Sequence, residues 1–292
     1  EGKGAISDRH YLSAGLITGR DSEQLADHDV VLAVGTRIAT PAALGVQQVV
    51  QIDIDDDEIG RNYENTVGLV GDARKTLEEL YRALAAIKPT QPSRQAELEA
   101  QNKKRAEAMP KLDPQDGLTA AVRAAVPDDG ILISGMTQIG YYSRAHYPVY
   151  EPRTYLTSSY FGNLGYAYPT ALGAKVAQPD KAVVAVSGDG GFLFNSQELA
   201  TAVQYGINAV VVVFNDNAYG NVFRDQTNRF DGRTIGSELH NPDFVKLAEA
   251  YGARGIKAEG PEQLESALRE ALAIDAPTLI EVPVGMMPPP FG

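Results

Sequence analysis

The chain has no cysteine, no tryptophan and only four histidines. Without cysteine there is no disulfide, no thiolate nucleophile and no thiolate metal ligand, and a reducing cytoplasmic setting is the simplest expectation. Basic residues are also short: 26 Lys and Arg against 38 Asp and Glu leave a net charge of -12. Nucleic acid or an anionic membrane surface would demand a basic face, so neither is expected as a partner. No apolar run reaches 18 residues and no charged-then-apolar stretch opens the chain, so neither a membrane span nor a signal peptide is expected. The first residue is Glu1, which fits a cut or processed piece of a longer polypeptide.

What is present reads as two α/β domains. Val30–Gly35 and Val49–Asp55 are continuous apolar runs closed by a glycine and by acids, the pattern of buried parallel strands. Ala73, Leu77, Leu80 and Leu84 recur at helical spacing, so a first, partial α/β domain is drawn over residues 1–88. Pro89, Pro92 and the charged stretch that follows make 89–115 a linker, partly helical. A second domain, 116–285, carries strands at 130–134, 182–186, 209–214 and 278–282, with helices at 164–177, 195–205, 242–251 and 261–274. Strands alternating with helices specify a mostly parallel sheet flanked by helices. The tail 286–292 is too rich in proline for regular structure.

Ligands of an open parallel sheet bind beyond the carboxyl ends of its strands. Asp189 follows one strand, in Ser187-Gly188-Asp189-Gly190-Gly191, and Asn215-Asp216-Asn217 follows the next. If those strands are neighbours, a right-handed crossover brings the two carboxylates together. Two acids among amide and backbone oxygens suit Mg²⁺ or Ca²⁺, not zinc or copper. Gly188, Gly190 and Gly191 leave backbone N–H groups unobstructed for a phosphate or diphosphate bridged to that cation. Gly-Asp-Gly alone is usually a turn; its pairing with a strand-terminal Asn-Asp-Asn makes it a site.

The run GDGGFLFNSQELATAVQYGINAVVVVFNDNAYG, from Gly188 to Gly220, resembles the signature of thiamine-diphosphate (ThDP) enzymes of the acetolactate synthase and pyruvate decarboxylase type. The resemblance implies Asp189 as first metal ligand, Asp216 in place of the second Asn, and the carbonyl of Ala218 as third ligand, with Tyr219 and Gly220 beside the cofactor. Leu156-Thr157-Ser158-Ser159-Tyr160-Phe161-Gly162-Asn163-Leu164-Gly165 is similar to the segment that holds the aminopyrimidine. It implies that the carbonyl of Gly162 receives the pyrimidine amino group, that Asn163 adjoins it, and that Leu164 is the wedge behind the bent cofactor. Taken by itself Leu164 would read as core. Gln138 sits where related chains contact the diphosphate, and the His often found next to it is Ile139 here. Gly2–Ile6 and Val49–Gly60 resemble the middle domain of the same enzymes.

The resemblance covers essentially the whole chain but only the later part of such enzymes. The front of the middle domain and the pyrimidine-binding domain have no counterpart, and with them goes the glutamate that activates the cofactor, so no catalytic residue is assigned. That implies an oligomer, or a complementary amino-terminal chain, as partner. Val222 occupies the position where pyruvate decarboxylase-like relatives carry a proton-managing Glu, which implies carboligation of a 2-oxo acid. Simple decarboxylation, or a non-catalytic ThDP- or partner-binding fragment, are the alternatives. Asn221, Val222, Arg224 and Asp225 are candidate substrate-facing residues. Val34-Gly35-Thr36-Arg37 with Asp53 lacks the full dinucleotide fingerprint, so a nicotinamide site is not expected, and the middle domain is expected to hold no FAD, although some relatives do. His10, His28, His146 and His240 show no metal spacing; His146 is in a segment expected to approach the site. Tyr141 and Tyr142 read equally as wall or core.

Overall fold

The computed structural model of the chain describes residues 2–16, 25, 28–39, 45, 47–87, 92–158 and 161–289. Pro89, Ser159, Tyr160 and the end of the tail, Pro290 to Gly292, lie outside the described residues. The chain divides into two compact units: Leu16–Glu99, and Glu1–Gly15 together with Ala100–Gly292. Residues 2–15 thus pack with the larger unit, although they precede the smaller one in sequence.

The smaller unit is built on three parallel strands, β1 (Val30–Val34), β2 (Gln48–Asp53) and β3 (Thr66–Val70), in that order, with helix α1 (Ala73–Ala85) following β3. Val49 and Ile52 of the central strand are fully buried, as the apolar run requires. Gln51 is also buried, and its amide closes the loops at that sheet edge: Nε2 donates to the carbonyls of Thr36 and Glu58, and Oε1 accepts from Gly60 N. Asp72 caps α1 by accepting from Lys75 N. No residue of α1 is fully buried, and Tyr81, Leu84 and Ile87 stay exposed.

Helix α2 (Gln95–Ala108) is the helical part of the linker and runs from one unit into the other. The larger unit then alternates α3 (Gln115–Ala125), β4 (Ile131–Ser134), α4 (Gln138–His146), β5 (Tyr155–Thr157), α5 (Ala167–Ala177), β6 (Val183–Gly188), the short α6 (Asp189–Leu193), α7 (Glu198–Tyr205), β7 (Val210–Asn215), α8 (Gly220–Arg229), α9 (Phe244–Tyr251), β8 (Arg254–Lys257), α10 (Gly260–Leu272) and β9 (Thr278–Pro283). The six strands form one sheet in the order β5-β4-β6-β7-β9-β8, and every described pairing is parallel.

Alternate residues of each strand feed two cores. Val184, Val186, Val210, Val212 and Ile280 meet Leu118, Val122, Leu264 and Leu268 from α3 and α10 on one face. Val183, Ala185, Val211, Val213 and Leu279 meet Leu172, Leu199 and Phe244 from α5, α7 and α9 on the other. Burial on both faces is why β6 and β7 read as unbroken apolar runs. Among the described residues no helix is long and apolar enough to cross a membrane.

Two irregular segments are tied onto this unit. Near the amino terminus, Lys3 Nζ donates to Tyr147 O, Asp8 exchanges bonds with the backbone of Val149, and Arg9 pairs with Asp128 while lying 3.6 Å over the Tyr150 ring. Near the carboxyl terminus, the tail has no regular structure through Pro289, as its prolines require, yet it is anchored. Met287 is buried in the first core, and Gln115 and Arg224 donate to the carbonyls of Pro288 and Met287.

Candidate functional site

Successive strands are added to one side as far as β5 and to the other from β6 onward, so the strand order reverses between β4 and β6, the switch point where strand-end loops part and leave a crevice. Three loops meet there: the turn from β4 into α4, the step from β6 into α6, and residues 215–219 after β7. Gly188 pairs with Phe214, so Asp189 and Asp216 stand at the ends of adjacent strands. Gln138, Gly162, Leu164, Gly188, Asp189, Gly190, Gly191, Asp216, Ala218, Tyr219, Gly220, Asn221 and Val222 line one cavity of about 200 Å³, with Met136, Thr137 and Tyr141. Asn163 and Arg224 do not line it. Asn163 is exposed, and Arg224 stands behind Asn221, donating to its Oδ1. Asp225 faces outward and pairs with Arg229. Tyr141 is thus wall and Tyr142 core. His146 lies against the Tyr142 ring, centroids 3.7 Å apart, with its pKa lowered by burial, and takes no part in the cavity.

Local sequence explains the shape of the loop after β7. Asn215 Oδ1 accepts from Asn217 N and Asp216 Oδ1 from Ala218 N, two successive side-chain turns. They put Asn217 at φ +56°, a conformation that asparagine tolerates better than most residues. Tyr219 N and the carbonyl of Asn217 then bond to the segment 237–239. The carbonyl of Ala218 takes no part in that bridge.

Asp189 is almost fully buried, with Oδ1 accepting from Gly190 N at 2.8 Å and Oδ2 from Asn241 Nδ2 at 2.6 Å. Burial raises its pKa. Burial, and next the charge of Asp189, push Asp216 up to about 7. Neither carboxylate has an ion pair with Lys, Arg or His among the described residues. Two adjoining acids, both pushed up by burial and Asp216 further by the charge of Asp189, without a cationic partner among the described residues, are the donor set of a hard divalent ion, so the residues fit Mg²⁺ or Ca²⁺.

Close packing requires glycine at two of these positions. The Gly190 N–H is taken by Asp189, and a Cβ on Gly190 would lie 2.5 Å from the Tyr219 ring. Glycine is needed there because Tyr219 lies on the backbone. A Cβ on Gly220 would lie 2.2 Å from Asp216 Oδ2.

Gln138 opens α4 and its Nε2 donates to Asn221 Oδ1 at 2.9 Å. Arg224 donates to the same oxygen, and a guanidinium has no acceptor, so the polarity of this relay is set by Arg224. Asn241 went unnoticed in the sequence. A lone Asn before Pro242 reads as a turn residue ahead of α9, and its contact with Asp189 spans 52 positions.

Residues 135–282 match the family model described as thiamine pyrophosphate enzyme, C-terminal TPP binding domain, and residues 1–80 match thiamine pyrophosphate enzyme, central domain. The chain is 30% identical to a probable acetolactate synthase large subunit of Methanococcus aeolicus, covering 99% of this chain and 54% of the relative. It is 32% identical to acetolactate synthase isozyme 3 large subunit of Escherichia coli, covering 93% and 50%. It is 33% identical to a probable 2-ketoarginine decarboxylase of Pseudomonas aeruginosa, covering 96% and 52%. The chain therefore spans about half the length of the curated relatives it matches.

Proposed function

This chain belongs to the thiamine pyrophosphate enzyme family, in its acetolactate synthase-like branch, and on that premise we propose that it is the diphosphate-gripping half of a Mg²⁺-dependent 2-oxo acid decarboxylase with carboligase activity. The observation that carries the reading is the acid pair Asp189 and Asp216, side by side at the ends of adjacent strands, with no ion pair to Lys, Arg or His among the described residues. When bound, thiamine diphosphate supplies the electron sink for decarboxylation.

The roles fall to residues of the cavity. Asp189, Asp216 and the carbonyl of Ala218 would hold the cation, with Gly188, Gly190, Gly191, Tyr219, Gly220 and Gln138 around the diphosphate. The carbonyl of Gly162, which stands at φ +66°, would receive the pyrimidine amino group, and Leu164, which lines the same cavity, would support the cofactor. Asn163 adjoins the pyrimidine segment from its exposed position. Val222, half-exposed on the cavity wall, offers no proton to the site, which is what supports carboligation over simple decarboxylation in this reading. Asn221 shapes the substrate side, and Arg224 orients it from behind.

The activating carboxylate must come from elsewhere, so we assign the chain a partner: an amino-terminal half supplying the pyrimidine-binding domain, within an oligomer. Exposed Phe161, Val222 and Met286, close in sequence to or part of the site, support an interface there. Similarity to the 2-ketoarginine decarboxylase favours a second reading, release of aldehyde alone.

Product analysis on the complex of both halves, with a 2-oxo acid and excess acceptor carbonyl, tests the proposal. Carboligation product is expected, and Val222→Glu should shift it toward aldehyde. Aldehyde alone from the unaltered complex would favour the second reading, and turnover by this chain as a lone monomer would refute the shared site.

A further inference from the structure

We propose that Asn241 is a positioning residue that sets the Asp189 and Asp216 carboxylates relative to each other before a cation arrives, an inference that rests on the cofactor reading above. Its amide nitrogen lies 2.6 Å from Asp189 Oδ2 at the end of β6 and 2.8 Å from Asn215 Oδ1 at the end of β7, with Asn217 Oδ1 at 3.4 Å. It thus cross-links the two strand ends that carry the acid pair.

The direction of its amide is fixed from outside. Asn215 Nδ2 donates at 2.7 Å to the buried carboxylate of Glu281 on β9, so Asn215 turns its oxygen toward Asn241. Asp189, as a metal-binding carboxylate, accepts only. Facing two acceptors, Asn241 gives each an N–H, and its own Oδ1 is left buried with no partner among the described residues. Buried polar atoms almost always find partners. Here the orphaned oxygen follows from using both hydrogens of one amide to brace a pair of strand ends. Because Gly190 N holds the other oxygen of Asp189, that carboxylate is restrained at both atoms by donors of this chain.

Asn241 stands two residues from Asp243, which caps α9 by accepting from Lys246 N and touches nothing in the site. That proximity supplies a control. In the complex that binds thiamine diphosphate, calorimetry would measure the Mg²⁺ concentration giving half-maximal cofactor uptake. Asn241→Ala is expected to raise it about 10- to 100-fold, the usual effect of losing a residue that orients a metal ligand, with uptake recovered at high Mg²⁺. Asn241→Ser, which keeps one donor, should give a smaller rise and decides the matter if the alanine variant does not fold. Asp243→Ala should lower the thermal midpoint and leave the Mg²⁺ requirement unchanged. An unchanged Mg²⁺ requirement in Asn241→Ser and Asn241→Ala, or an equal rise in Asp243→Ala, overturns the inference while the cofactor reading stands. No uptake by the unaltered complex would remove the cofactor reading itself, and this inference with it.

Discussion

Replacing Asp216 by Asn tests the electrostatics of the acid pair directly. Asp216 has its pKa pushed up to about 7, against 3.8 for an ordinary aspartate, by burial first and by the neighbouring Asp189 second. The folded chain therefore keeps a proton that the unfolded chain has already released between pH 4 and pH 7. A raised carboxyl pKa means stability that is fully present below pH 4 and is lost as pH climbs through 7. At about 1.4 kcal/mol per pH unit the ceiling is about 4 kcal/mol. The carboxyl is only partly buried and water screens it, so about 2 kcal/mol is the expected loss at pH 8. Asp216→Asn keeps the shape and an oxygen ligand, and removes the charge. With chelator present and no cofactor, urea unfolding of the larger unit should show the variant nearly level with the parent at pH 4.5 and more stable by about 2 kcal/mol at pH 8. A stability difference that is the same at both pH values would refute the reasoning.

Two further substitutions probe the same site. Asp189→Ala should abolish Mg²⁺-dependent binding of thiamine diphosphate, and undiminished affinity by calorimetry, in a complex that binds normally when unmutated, would sink the assignment. Gly220→Ala replaces a poor helix former at the start of α8 with a good one, a local gain of up to about 1 kcal/mol. Its Cβ would nonetheless collide with Asp216 Oδ2, so the Mg²⁺ requirement should rise while thermal stability holds; unaltered Mg²⁺ titration would contradict the packing.

The parts of this fold legible in the sequence are those where one physical signal dominates. Val183–Val186 and Val210–Phe214 are unbroken apolar because both sheet faces are covered, so the strands and the acids behind them could be placed. Strand β8, Arg254-Gly255-Ile256-Lys257, is a sheet edge with polar ends and gave no comparable run. Helix α8 buries no residue completely, and Gly220, Asn221, Val222, Thr227 and Asn228 are weak helix formers, so its existence depends on the tertiary setting. Gly190 was readable as a glycine of consequence, but the reason, a tyrosine ring 29 positions later, was not. Asn241 shows the same limit: its importance is a matter of which atoms it meets across the sheet.

The seating of residues 2–15 on the larger unit changes what the smaller unit is. Leu16–Glu99 is entered from one part of that body and left, through α2, into another, so in topological terms it is an insertion. A protease cut within it would not release the amino-terminal peptide freely, because Lys3, Asp8 and Arg9 hold that peptide to Tyr147, Val149 and Asp128. The first and last described segments are thus both fastened to the body that carries the acid pair, by Arg9 with Asp128 and by Arg224 with the carbonyl of Met287. Since Arg224 also grips Asn221 of the cavity wall, loosening the tail would be felt in the pocket as a shift of Asn221.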